Sequence, residues 1–485
     1  MRERVADRGV VLRRPTKVTS RAEGRPRQVE DSGKDGRVRT QSRNHVPEGL
    51  VRVSEAAKRS PHMRFTALLH HVDTDALGRA YRRLRKAAAP GVDGMTVMAY
   101  AEGLEQRLQA LGERLHSGRY RPLPIRRTYI PKSDGGQRPL GILALEDKIV
   151  QGAVAEVLSA VYEADFLECS YGFRPGRNAH QALQAVHRAV MTERVNWVLD
   201  ADIRKFFDSV DHEWLLRMVA HRIADPRVLR LIRQWLAAGV MEAGIYAETV
   251  EGTPQGAGIS PILANIFLHY ALDLWVRRWQ RREASGRMRL VRYADDLVLT
   301  FKQRAEAERM HAALAERLAM FNLQLHEAKT RLIEFGRFAE VNRRRRGESR
   351  PETFDFLGFT HYCGRTRAGR FMLQRKTQRQ RMTCKLKALR VEMRRRMHEP
   401  VRGQQGWLSA VLRGHYAYYG ITGNFRSLSR FYYHLTRAWR HVLSRRSQRG
   451  RLSWQAFQTL HRRFPLLTPR IMHVWAVSPL PVTTT

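Results

Sequence analysis

The chain has 485 residues, 43% of them hydrophobic, enough for two or three domains with a sizeable core. Lysine and arginine number 87 against 46 aspartates and glutamates, a net charge of +41 that points to a polyanionic partner, nucleic acid first. No run approaches the roughly eighteen apolar residues of a membrane span, and cysteines at 169, 363 and 384 fit neither a disulfide framework nor a zinc site, which indicates a reducing compartment such as the bacterial cytoplasm.

In chain order, Met1 to about Val46 is rich in Arg, Gly, Ser and Pro and lacks the apolar stretch of a secretory signal. A basic disordered tail over residues 1–60 is expected. Helices are expected over Phe65–Leu69, Asp75–Arg85 and Tyr100–Leu115, with Ala89–Gly94 as a loop. Tyr129-Ile130-Pro131-Lys132, Ser133–Gly136 and Arg138 read as strand, turn and strand. Leu145–Tyr162 reads as a helix with Ile149, Val150, Val154, Val157, Leu158 and Val161 on one side. Strands then alternate with helices to Phe359, which indicates an α+β domain over 61–373 with a small sheet. Arg343–Arg346 reads as an exposed basic loop. From residue 374 to 473 the chain turns helical and basic, and residues 474–485 read as a frayed tail.

The most informative stretch is Tyr293-Ala294-Asp295-Asp296, two adjacent acids set between Leu290-Val291-Arg292 and Leu297-Val298-Leu299. The pattern predicts a strand, a tight turn and a second strand. Carboxylates are costly to bury unpaired, so this pair should bind a cation or stay wet, and packed hard oxygen ligands suit magnesium. Upstream, Val198 to Asp208 is a second apolar stretch ending in acids, followed by Asp211 as a candidate cap for a helix through Trp214, Leu215, Met218 and Val219. A two-ion site needs a third carboxylate from another strand. Asp202 is the candidate, with Asp200 and Asp208 as alternatives.

Lys132 and Arg138 place cations on opposite arms of one hairpin, where they could clamp a triphosphate. Gly252 to Pro261 is a Gly/Pro-rich loop that lets backbone approach a ligand, and Gln255 within it could bond a sugar or a base. Phe207, five residues after Asp202, could stand beside the incoming sugar as a gate against a 2′-hydroxyl, although Phe206 or Phe207 could equally be core.

These blocks, in this order, resemble a group II intron reverse transcriptase/maturase from about Arg64 to about His473. The blocks are Gly91–Gly94, Ile130–Ile142, Ser170–Pro175, Asp202–Asp208, Gly252–Asn265, Tyr293–Asp296 and Phe356–Phe359. The resemblance implies a right-hand polymerase, fingers and palm with a small antiparallel sheet, followed by an all-helical thumb/maturase domain. It implies that Asp202, Asp295 and Asp296 carry two Mg2+ ions. It also implies that Lys132 and Arg138 hold the triphosphate of a dNTP, that Gln255 and Phe207 line the nucleotide pocket, and that Lys329 lies near the site. The implied partners are intron RNA, an RNA template and a DNA primer, with no membrane. Arginines and aromatics after residue 374 suit phosphate contact and base stacking, although most of those rings are expected in the helix core. Alternatives that share the central blocks are a polymerase-inactive maturase and the retron, diversity-generating and CRISPR-associated enzymes. No cysteine pairs are present to build the HNH endonuclease of some relatives, so second-strand cleavage is not expected.

Overall fold

The structure, a computed structural model, describes residues 46–131, 136–242, 245–247, 252, 258–447 and 451–475. Ordered structure begins earlier than the composition implied. Helix α1 (Glu48–Arg59) buries Leu50, Val53 and Ala57, so the expected tail over 1–60 ends before this helix. Its basic residues lie on the solvent side while a narrow apolar stripe carries the packing. Phe65–Leu69 is not helical. Phe65 donates its N–H to Arg222 and accepts from Ala224, in a parallel bridge to Ile223. Helix α2 (Thr74–Arg83) is capped by Asp73, whose Oδ1 accepts from the Ala76 N–H at 2.7 Å, and α3 (Leu104–His116) follows.

Strands β1 (Ile125–Pro131) and β2 (Gln137–Ile142) form the expected hairpin, whose turn lies outside the described residues. Helix α4 (Leu145–Tyr162) is the central pillar. Its whole predicted face is buried and joins one core with residues of α1 and α2. Helix α5 (Ala179–Thr192) opens with a capping box between Asn178 and Gln181. Strand β3 (Trp197–Asp202) leads to α6 (His212–Ala220), where Asp211 accepts from the Trp214 N–H at 2.8 Å as the sequence suggested. Next come α7 (Pro226–Leu236), β4 (Val240–Glu242) and β5 (Ile245–Ala247). Helix α8 (Ser260–Leu268) passes through one widened turn, His269–Asp273, into α9 (Leu274–Glu283).

Strands β6 (Arg289–Tyr293) and β7 (Asp296–Phe301), helix α10 (Arg304–Ala319) and β8 (Arg331–Glu334) complete the sheet that carries the acids. Its order is β6-β7-β3-β8, all antiparallel. A second four-stranded sheet, β2-β1-β4-β5, contains one parallel pairing, β1 with β4. Arg343–Arg346 is not a free loop. Most of it lies in a short helix, Ala339–Arg345, and Arg343, Arg344 and Arg346 pair with Glu340, Glu348, Glu352 and Glu334.

A third sheet joins β9 (Phe354–Phe356), β10 (Phe359–Arg365) and β11 (Phe371–Thr377) in the order β11-β10-β9. The expected boundary at residue 374 falls inside β11, because Gln374 and Lys376 are ladder partners of Tyr362 and Thr360. The helices begin at α11 (Arg379–Arg395) and continue as α12 (Val401–Tyr419), α13 (Phe425–Leu443) and α14 (Trp454–Arg463). They share a core built on Leu408, Leu412, Tyr416, Phe431 and Trp439. Phe425, Tyr433 and Trp454 stay exposed. His473, the last residue before the expected tail, bridges Ile421, and within the tail Trp475 is buried with Arg375 over its ring. Among the described residues no helix is long and apolar enough to cross a membrane.

Candidate active site

The acids meet through strand register. β6 and β7 form a hairpin in which Tyr293 faces Asp296, leaving Ala294 and Asp295 as the two-residue loop. Ala294 takes a positive φ of 57°, which suits the tight loops that match strand twist. On the other side of β7, Asp296 faces Asp202 of β3. Directly opposed residues place their Cβ atoms about 5 Å apart, so Asp202, Asp295 and Asp296 gather at one end of the sheet.

Asp296, still open to solvent at the end of β7, is pushed upward by desolvation of its carboxyl and by the neighbouring carboxylates of Asp295 and Asp202, while Arg381 and Lys329 pull the other way. Of the two alternatives, Asp200 lies two residues back on β3, opposite Val298 and Arg331. It too is raised, in its case to about 7, by burial first, against the pull of Arg331 and with Asp296, Asp355 and Asp202 adding to the rise. Asp208 is the exposed end of a single turn, Phe206–Asp208, beyond the end of β3.

The turn is held from behind by residues the sequence reading did not single out. Arg292, fully buried on β6, pairs with Asp273: Nε donates to Oδ1 at 2.8 Å and Nη2 to Oδ2 at 2.6 Å. Its Nη1 donates to the Ala294 carbonyl at 3.1 Å and to Asn265 Oδ1 at 3.0 Å. Asp273 reaches this position from the widened turn between α8 and α9, a local geometry that recurs at functional sites. Asn265 in turn donates to the Gly172 carbonyl at 2.8 Å. Gly172 lies against the turn so closely that a Cβ there would collide with the Ala294 backbone nitrogen. The Gly172 block and the Asn265 block therefore meet at the acid hairpin. The signal available in the sequence was a charged residue, Arg292, inside an apolar strand, which demands a buried partner.

Of the remaining candidates, Lys329 and Phe207 fall on the β3 side of the acids. Lys329 Nζ binds Asp202 Oδ2 at 2.7 Å. Phe206 is the core ring, and Phe207 is only partly covered, edge-to-face with Phe206 at 5.2 Å between centroids. Gly252 donates to the Val210 carbonyl at 2.9 Å, and its carbonyl lies 2.7 Å from His212 Nε2, so its loop starts beside Phe207. Gln255 and Lys132 lie outside the described residues. Arg138 stands on β2 opposite Ile130, and its side chain lies outside them too. Arg381 of α11 brings a cation of the helical region to Asp296.

Among the described residues no three His, Cys, Asp or Glu side chains are gathered tightly enough to hold a metal ion as they stand. The donor set nevertheless fits magnesium. All three groups are hard carboxylates, and Asp295 and Asp202 set like charge beside Asp296 that a divalent cation would offset.

The reverse transcriptase (RNA-dependent DNA polymerase) family matches residues 130–361. Group II intron-encoded protein LtrA of Lactococcus lactis is 36% identical over 232 residues, 47% of this chain and 38% of LtrA. Through its reverse transcriptase segment the chain is similar to group II intron-encoded proteins. Protein YkfC of Escherichia coli is 39% identical over 247 residues, 44% of this chain and 64% of that protein. The putative COX1/OXI3 intron 1 protein of Saccharomyces cerevisiae is 30% identical over 219 residues, 45% of this chain and 26% of that protein. The chain spans less than two thirds of the length of each of these relatives. The acid hairpin, β3 and the Gly172 block all lie inside the matched reverse transcriptase segment.

Proposed function

We propose that this protein is an RNA-directed DNA polymerase of a group II intron, and that it also binds intron RNA to assist splicing and retrohoming. The observation that carries the reading is the register pairing of Asp202 with Asp296, with Asp295 beside it, inside a reverse transcriptase domain. The arrangement suits a right-hand polymerase in which residues 61–373 form fingers and palm and residues 374–473 a thumb and maturase domain.

In this reading Asp202, Asp295 and Asp296 hold two Mg2+ ions, which supply positive charge at the attacking hydroxyl and at the leaving pyrophosphate. The primer 3′-hydroxyl attacks the α-phosphate of a dNTP, a new phosphodiester bond forms, and pyrophosphate leaves. Lys132 and Arg138 neutralise the triphosphate. Phe207 and Gln255 line the nucleotide pocket, and the partial exposure of Phe207 supports its role as a gate. Lys329 pairs with Asp202 and would hold that carboxylate at the edge of the site. The basic helices after residue 378 contact intron RNA through phosphate, and their exposed rings stack on unpaired bases.

The test is extension of oligo(dT) on poly(A) with dTTP and Mg2+. Wild type should extend, and Asp295→Ala and Asp296→Ala should not. No extension by wild type, or equal extension by the variants, overturns the polymerase reading. Splicing assisted by Asp295→Ala as well as by wild type would show that RNA binding is a separate role.

A further inference from the structure

Phe173 is placed at a cost that packing does not return. The residue is 54% exposed and its backbone has φ of +57°. For a bulky residue that conformation is an outlier, and such strain persists where neighbours impose it, most often at functional sites. Here both neighbours are fixed. Gly172 is pinned by Asn265 and by the Ala294 backbone. The buried Arg174 guanidinium donates to the carbonyls of Leu167 at 2.7 Å and Ser170 at 2.9 Å, and pairs with Glu163 at 2.9 Å. The ring projects beside Tyr293, with centroids 6.4 Å apart. Three of the positive-φ non-glycine residues, Phe173, Lys205 and Ala294, border the carboxylates.

Position across the sheet assigns a role. Cys169–Tyr171 runs along the free edge of β6: Arg292 donates to the Cys169 carbonyl at 2.8 Å, and Tyr171 to the Arg292 carbonyl at 2.9 Å. The order is therefore the Phe173 segment, β6, β7 with Asp296, β3 with Asp202, and then β8 with Lys329 just before it. The candidate dNTP contacts, Phe207 and Lys329, lie on the β3 side of the acids. Phe173 lies on the other. A transfer reaction needs its two substrates on opposite sides of the reacting centre.

We propose that Phe173 is the surface on which the 3′-terminal nucleotide of the primer packs. This rests on the polymerase reading above. The strained backbone aims the ring, and its exposed face is covered only when primer is bound.

The experiment measures steady-state extension and, without dNTP, equilibrium binding of a fluorescent primer–template and of template alone, for wild type and the variants Phe173→Ala, Phe173→Trp and Phe173→Gly. The alanine and glycine variants should raise Kd and KM for primer–template about tenfold, the scale of one lost base–aromatic stack. KM for dNTP and Kd for template alone should stay within about twofold on the same scale. Tryptophan should retain binding. Glycine should melt no lower than wild type, since it accepts the positive φ. Unchanged primer–template Kd in the alanine and glycine variants, a shift in dNTP KM instead, or an equal loss for template alone overturns the proposal. Wild type that binds primer–template but does not extend it overturns the polymerase reading, while the binding data still decide the role of Phe173.

Discussion

Arg292 and Asp273 close a bidentate ion pair with both side chains fully buried, directly behind the hairpin that carries Asp295 and Asp296. Desolvating two charges offsets much of their attraction, so the pair is weak as a net source of stability. Its value is geometric. The same guanidinium holds the Ala294 carbonyl and Asn265, which fixes the loop from the inside.

Removing one partner should therefore be severe. Asp273→Ala leaves a buried guanidinium without its carboxylate and should cost about 3–5 kcal/mol in urea unfolding. The double variant Asp273→Leu/Arg292→Met should recover much of that stability. It should not recover primer extension, because the bond to the Ala294 carbonyl is gone. Full activity in the double variant would show that the pair does not position the turn.

Gly172 gives a second handle on the same loop. A Cβ there meets the Ala294 nitrogen, and Tyr293's carbonyl carbon is 3.0 Å away, backbone atoms that cannot swing aside. Gly172→Ala should cost about 1–3 kcal/mol by overpacking and lower kcat at least about tenfold as the carboxylates shift, since a displacement near 1 Å is enough for such losses. Gly176→Ala is the control: its φ is also positive, at +70°, but its Cβ would meet nothing within 4 Å. It should leave kcat intact.

How much of this was readable beforehand follows from locality. The acid hairpin was legible because alternating strands and two adjacent carboxylates announce a turn within nine residues, Leu290 to Val298. Helix α4 was legible because its apolar residues recur at helical spacing over 18 residues. The pairing of Arg292 with Asp273 and the contact of Gly172 with Ala294 join separate elements, and no local periodicity encodes them. Helix α1 was hidden by its charge: Arg52, Lys58 and Arg59 dominate the composition, while three small contacts, Leu50, Val53 and Ala57, do the packing. Trp475 was read with the tail for another reason: it is buried with the cation of Arg375, from a distant strand, over its ring, and no local pattern encodes that contact.

That burial leaves an acid-sensitive spot. His361 is fully buried and stacked on Phe354 at 4.7 Å. Burial first, and then the Arg375 cation, lower it from 6.5 to about 3. The unfolded chain thus binds a proton that the folded chain refuses, so stability falls as pH drops through the window from 6.5 to about 3. His361→Phe should flatten the Tm profile across that window and leave Tm near pH 8 little changed. An identical slope in the variant would place the acid sensitivity elsewhere.

The helical region offers a test of how nucleic acid is held. Trp454 is 46% exposed and stacks under the Arg440 guanidinium at 4.2 Å, beside a 760 Å³ pocket lined by Arg394, Arg440, Arg445 and Arg451. Phosphate contacts release counterions, so binding of a single-stranded RNA should weaken steeply between 50 and 200 mM salt, with a log–log slope proportional to the number of contacts. Arg445→Ala should reduce that slope by about one and weaken binding to every sequence alike. Trp454→Ala should cost about 1–3 kcal/mol for single strands and leave the slope unchanged, because a ring carries no charge. A Trp454→Ala variant that lowers the slope as Arg445→Ala does would mean the ring acts by positioning Arg440, not by stacking on a base.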